Sequence, residues 1–142
     1  MSQLLEKKYL KLQNGSDVRG VALDGIEGEI VNLTPEIVTY IAASFVDFLV
    51  NKTGKVCSEL TIAVGHDSRL SADSLKNAVL KGLQLMGCRP VDCSLASTPS
   101  MFMSIINFDV DAAIEITASH LPMNMNGLKF FTREGGFSGD DI

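Results

Sequence analysis

LTIAVG, residues 60–65, is a run of six residues without a charge, bounded by Glu59 on one side and by His66 and Asp67 on the other. A short, continuous apolar run between polar loops is the pattern of a strand buried on both faces, as in a parallel sheet. The sequence on either side supports that reading. Upstream, Thr34 and Pro35 supply an N-cap and a first helical residue, and Ile37, Ile41, Phe45 and Phe48 or Leu49 form an apolar stripe that ends at residues 51–54. Downstream, a second helix begins near Ser71, turns Leu75, Val79, Leu83 and Met86 inward, and stops at Gly87. Strand follows helix again at PVDCS (90–94), a third helix is capped at Thr98 and Pro99, and DAAIEIT (111–117) and GLKFFT (127–132) read as two more strands. Residues 18–23 form a short strand that turns at Asp24 and Gly25, and GIEGEIVNL (25–33) is expected to return beside it as a hairpin. This alternation predicts an α/β domain, layered α/β/α, around a mostly parallel or mixed four-stranded sheet.

Composition narrows the functions open to it. A chain of 142 residues with 46% hydrophobic content has the size and apolar content of one domain with a real core. A net charge of −5 and a sequence pI near 4.9 argue against a sequence-independent grip on nucleic acid or an anionic membrane. Neither a run of 18 apolar residues nor a signal-type stretch in MSQLLEKKYLKL is present. Cys57, Cys88 and Cys93 form no Cys-x-x-Cys pair, which points to reduced thiols in the cytoplasm or an equivalent reducing compartment such as a plastid stroma. Mean hydropathy of +0.21 is high for a free-standing domain and predicts apolar surface that another domain, or a second copy, covers. SGDDI (138–142) reads as the N-terminus of a helix that then stops, so the chain is expected to be a fragment of a longer protein.

In an open α/β sheet, ligands collect outside the carboxyl ends of the strands. Three polar loops qualify: GHDSR (65–69), SLASTPS (94–100) and TASHLPMN (117–124). Their hydroxyls and backbone amides suit a phosphate. Ser119 and His120 do not read as a nucleophile and its base, because adjacent side chains leaving a strand point apart and no Gly-x-Ser-x-Gly elbow is present. Phosphoryl transfer asks less of a local base, since positioning and charge neutralisation do most of the work. Arg19, Arg69 and Lys129 are candidates for that neutralisation. Each also has a plainer reading: Arg69 as a loop cap, Lys129 as an exposed strand residue, His120 as a turn histidine. DVD (109–111) precedes a strand and reads as a solvated turn.

TASHLPMNMNGLK (117–129) resembles the active-site serine loop of the α-D-phosphohexomutases, the phosphoglucomutase and phosphomannomutase family, usually Thr-Ala-Ser-His-Asn-Pro followed by Asn-Gly-x-Lys. NGSDVRG (14–20) is similar to that family's Gly-x-x-x-Arg-Gly stretch, VGHDSR (64–69) to its Gly-x-Asp-x-Arg loop, and STP (97–99) to its Thr-Pro turn, all in family order. The resemblance implies that residues 1–142 are domain I of a four-domain protein. It implies that Ser119 carries a phosphoryl group between the C1 and C6 hydroxyls of a hexose phosphate, that Arg19 and Lys129 assist proton transfer, and that His120 stands beside the phosphate. Arg69, Thr117 and Asn126 would belong to the substrate or phosphate loop. Mg²⁺ would be held by the phosphoserine oxygen of Ser119 and by carboxylates from a second domain, whose Asp-x-Asp-x-Asp loop does not occur here. Leu121 replaces the family's Asn. The alternative is a truncated homologue that binds a phosphosugar or a protein without turnover.

Overall fold

The structure, a computed structural model, describes residues 9–142; the opening residues read above for a signal-type stretch lie, through residue 8, outside the described part. The strands are β1 (Gln13–Asn14), β2 (Asp17–Val21), β3 (Thr61–His66), β4 (Arg89–Leu95), β5 (Ala112–Ile116), β6 (Met125–Thr132) and β7 (Gly135–Gly136). They form one seven-stranded sheet in the order β1-β2-β6-β5-β3-β4, with β7 on β6. The sheet is mixed. β3 pairs in parallel with β4 and β5, while β5–β6, β2–β6, β1–β2 and β6–β7 are antiparallel.

Helices α1 (Pro35–Thr53), α2 (Ala72–Leu85) and α3 (Thr98–Asn107) cover the two faces. Side chains alternate along β3, β5 and β6, so each strand serves both layers. Ile62, Val64, Ile114, Ile116, Leu128 and Phe130 pack on the α1/α2 side. Ala63, Ala113 and Phe131 pack with Met101 and Ile105 of α3 on the other. Burial on both faces is why residues 60–65 read as continuously apolar. Thr34 caps α1 through a 3.3 Å bond from the Ile37 amide to its hydroxyl.

Four expectations are corrected. The sheet has seven strands where four were expected, because β1, β2 and β7 are added at the β6 side. Residues 25–33 form no hairpin; the amides of Asn32 and Leu33 both donate to the Val21 carbonyl, Asn32 Oδ1 accepts the Val21 amide at 2.7 Å, and the long partner of β2 is β6. The cap of α3 is Ser97, whose hydroxyl accepts the Ser100 amide, one residue before the expected Thr98. Asp111 is no solvated turn residue. It is buried and accepts Lys55 Nζ at 2.6 Å and the Thr61 amide at 2.9 Å; burial pushes its carboxyl up, and these bonds outweigh that and hold it below the usual range. At the other end, residues 139–141 make a single 3-10 turn.

Candidate active site

The carboxyl ends of β3 and β5 lie side by side, and the loops that leave them are bonded to each other before any ligand is considered. The Asp67 amide donates to the Ile116 carbonyl at 3.0 Å. The Asp67 carboxylate accepts the Thr117 hydroxyl at 2.8 Å, the Arg69 amide at 3.1 Å and Arg69 Nε at 3.3 Å. Thr117 Oγ1 in turn accepts the Ser119 amide at 3.0 Å. The Arg69 guanidinium then grips the loop by its backbone: Nη1 donates to the carbonyls of Pro122 (2.6 Å) and Met125 (3.0 Å), and Nη2 to those of Leu121 (2.7 Å) and Ser119 (3.1 Å). Ser119 sits at φ 53, in the left-handed region that L-residues enter at a cost, and the ring of bonds around it holds that conformation. The result is an exposed serine hydroxyl on a loop fixed from below, at the edge of a cleft of about 530 Å³ between residues 67–70 and Thr117, Ser119, Leu121 and Met123.

One cation, Arg19, reaches the serine from the antiparallel side of the sheet. The register pairs Arg19 of β2 with Gly127 of β6, and Gly127 has no side chain because Arg19 needs the space: a Cβ there would lie 2.7 Å from Arg19 Cδ and 2.9 Å from Nη1, and against the Val18 carbonyl oxygen. Arg19 crosses that gap to place Nη2 3.4 Å from Ser119 Oγ. The same Nη2 lies 2.8 Å from Asp17 Oδ2, and Lys129 Nζ lies 2.6 Å from that same oxygen. Arg19 Nη1 is buried and has no hydrogen-bond partner. An orphan guanidinium N–H beside an exposed hydroxyl is an unmet donor waiting for an acceptor, since a buried group of this kind is costly to leave unpaired.

The structure thus brings Ser119, Arg19, Arg69 and Thr117 together, and joins Lys129 to them through Asp17. Arg69 lines the cleft, and its guanidinium is taken up by the loop carbonyls. Asn126 is fully buried within β6, where its Nδ2 donates to Ser71 Oγ and its Oδ1 accepts the Gly127 amide, so it supports the strand beneath the loop. Gly127 lies inside β6 and serves close approach in place of the tight return expected from sequence. His120 is exposed on the loop. The loop after β4 reaches the β3 end through the Ala96 amide on the His66 carbonyl, yet Leu95, Ala96 and Ser100 line a separate cavity of about 290 Å³.

Three carboxylates were not singled out from sequence: Asp17, Asp67 and Glu115. The spacing of two on a strand already sets Asp17 and Arg19 on one face, whereas only the cross-strand register brings Lys129 to Asp17. Glu115 is 1% exposed, pairs with Gly65 and Lys129 across the sheet, and has an Oε2 without a partner. Burial, with the nearby Asp67 charge, pushes its carboxyl up to about 8.

The described residues do not by themselves assemble a Mg²⁺ site. Asp17 and Asp67, the carboxylates bonded to the site, are taken up by Lys129, Arg19, Arg69 and Thr117, and no cluster of three or more His, Cys, Asp or Glu suited to a metal occurs among the described residues.

The described residues thus form a mixed-sheet α/β/α domain with a serine loop clamped by arginine and approached by an Arg–Asp–Lys row. The family model described as phosphoglucomutase/phosphomannomutase, alpha/beta/alpha domain I, matches residues 11–142. The chain belongs to that family. It is 34% identical over 121 residues to a phosphoglucosamine mutase of Clostridium kluyveri, covering 84% of this chain and 26% of the relative. It is 40% identical over 89 residues to a phosphomannomutase of Escherichia coli K12, covering 61% and 19%. A crystal structure of a phosphoglucomutase/phosphomannomutase family protein from Burkholderia thailandensis shares the fold at a TM-score of 0.64 and 24% identity, over 92% of this chain and 27% of that one. The chain spans about a quarter of the length of the curated relatives it matches.

Proposed function

We propose that this chain is the serine-bearing domain of a phosphohexomutase, in which Ser119 carries a phosphoryl group between two hydroxyls of a hexose phosphate. The observation that carries the reading is the pairing of an exposed Ser119 Oγ with a buried arginine, Arg19, that has one N–H at 3.4 Å and another without a partner. The bond from phosphorus to Ser119 Oγ breaks as one forms to a sugar hydroxyl; the hydroxyl proton passes to a base and the departing serine oxygen takes one up. Lys129 as the neutral amine is the candidate base, the ammonium it becomes being the form that Asp17 Oδ2 holds at 2.6 Å, with His120 beside the phosphate. After the bis-phosphorylated sugar turns round, the second phosphoryl group returns to Ser119 and a proton to the departing sugar oxygen. Arg19 offsets the charge of the transferring group, and the Arg69 clamp keeps the serine from moving with its load. Family membership adds an expected need for Mg²⁺, joined through a phosphate oxygen on Ser119 with its other ligands from another domain. Hexose selection would lie outside this domain as well.

The test is phosphopeptide mass spectrometry on the protein isolated from its cells. Phosphate is expected on Ser119 and absent after Ser119→Ala. Phosphate confined to Ser97 or Thr117, or an unmodified serine loop, would overturn the proposal.

A further inference from the structure

Asp17 Oδ2 is shared by two cations. Lys129 Nζ sits 2.6 Å away and Arg19 Nη2 2.8 Å away. All three side chains are largely withdrawn from water, at 7% exposure for Arg19, 16% for Asp17 and 25% for Lys129. The backbone imposes this meeting. β2 and β6 run antiparallel with Val18 opposite Leu128 and Arg19 opposite Gly127, so Asp17, one residue on, falls beside Lys129 on the face that carries Arg19. One carboxylate against two cations leaves the row with an excess positive charge, directed at Ser119. Yet the guanidinium is divided: Nη2 leans on Asp17 while standing only 3.4 Å from Ser119 Oγ, and Nη1 bonds to nothing.

We propose that Asp17 is a positioning residue that competes with phosphate for Arg19. In the resting domain it holds Arg19 and Lys129 in one row. When a phosphate dianion arrives at Ser119, Arg19 turns its Nη2 and its unpartnered Nη1 to the phosphate oxygens, and Lys129 stays on Asp17. The carboxylate therefore weakens phosphate binding while fixing the place of the ammonium. Lys129, tied at 2.6 Å, is the stronger anchored of the two; Arg19, with an idle N–H and a second acceptor within reach, is the one free to change partner. A bidentate guanidinium grip on phosphate is geometrically suited to that exchange in a way a single ammonium is not. This proposal rests on the reading of Ser119 as a phosphate site, and its test separates the two.

Inorganic phosphate is titrated into the 142-residue chain, with the Ser119 amide, the Arg19 Nε–H and the Lys129 side-chain signals followed by NMR. In the wild type the Ser119 and Arg19 signals are expected to move and those of Lys129 to hold. Asp17→Asn, which keeps shape and removes the charge, is expected to bind phosphate roughly tenfold more tightly, the scale of one nearby carboxylate in a partly buried site. The Lys129 signals should broaden or shift in that variant. Asp17→Glu should return the affinity toward wild type, which a packing role for Asp17 would not produce. If Asp17→Asn binds phosphate no better than wild type, the competition is wrong while the phosphate site stands. If it fails to fold, the wild-type titration decides: Lys129 moving together with Arg19, or Arg19 not moving, overturns the exchange. If phosphate moves no Ser119 or Arg19 signal in the wild type, the phosphate site itself falls, and the role of Asp17 with it.

Discussion

Glu115→Gln tests how deeply the site's floor is sealed. Glu115 lies at 1% exposure, its Oε2 unpartnered and 2.9 Å from where a Cβ on Gly65 would stand, against Met101 of α3. Its carboxyl is pushed up to about 8 from an ordinary 4.5, by burial first and by Asp67 second. Below pH 4.5 the group is neutral in both folded and unfolded chains and contributes no pH dependence. Between 4.5 and about 8 the unfolded chain gives up a proton that the folded chain keeps, so stability falls as pH rises. At about 1.4 kcal/mol per pH unit, the full loss is about 5 kcal/mol above pH 8 and about 3 kcal/mol at pH 7. Glu115→Gln removes this slope and adds a buried amide that costs about 1–3 kcal/mol if its N–H groups stay unpaired, a cost that does not vary with pH. The variant should therefore be equal to or less stable than wild type at pH 5 and more stable at pH 8. Glu115→Met, apolar and of similar length beside Met101, should show the same pH dependence without the amide cost. Urea unfolding at the two pH values gives the difference directly. A difference between variant and wild type that is the same at pH 5 and pH 8 would refute the reasoning and place the Glu115 carboxyl in contact with water.

Two further outcomes follow from the site. Arg69→Ala removes a charged donor from four carbonyls, and should cost about 2–4 kcal/mol of stability while speeding hydrogen exchange of the amides over residues 119–125; unchanged exchange there would assign the loop's order to some other contact. Lys129→Ala, assayed in a protein that carries the remaining mutase domains, should lower kcat about a hundredfold or more, with little recovery in Lys129→Arg because a guanidinium keeps its proton; near-normal kcat would leave Lys129 a structural partner of Asp17.

Local rules made some of the molecule legible and long-range pairing hid the rest. Thr34 and Pro35 announce α1 because capping is a matter of adjacent residues. Residues 60–65 announce a buried strand because both faces of β3 meet apolar layers. The pairing of β2 with β6 joins residues about a hundred positions apart, and the short polar segment before it carries no signal of that partner. Asp17 was invisible for the same reason: its meaning is its neighbour across the strands. Of the two readings open to Arg69, charge for a ligand or a loop cap, its bonds to four loop carbonyls fit the cap; sequence leaves the choice open because backbone carbonyls are carried by every residue. DVD (109–111) reads as one solvated turn, which holds for the exposed Asp109 at φ 52, whereas Asp111 is buried by its bonds to Lys55 and to the Thr61 amide, partners that only the fold brings to it.

The same clamp decides what Leu121 means. The family motif has Asn at this place, and Leu read from sequence alone could mark a loop that has lost its purpose. Arg69 Nη2 holds Leu121 by its carbonyl at 2.7 Å, and the Leu121 amide donates to the Ala118 carbonyl at 3.0 Å. Both bonds are made by backbone atoms that Asn and Leu share, so the loop geometry that presents Ser119 does not require the amide side chain. The Leu121 side chain lies on the wall of the cleft, half-buried, near Leu70 and Met123. Leu121→Asn is thus expected to change stability by less than about 1 kcal/mol and to leave hydrogen exchange at Ser119 and Met125 as it is. What it should alter is the wetting of the cleft wall, where a polar group would meet a ligand. If restoring Asn instead loosened the exchange of the loop amides, packing of Leu121 against Leu70 and Met123 would share with Arg69 the task of holding the serine, and the substitution would be part of how this chain builds its loop.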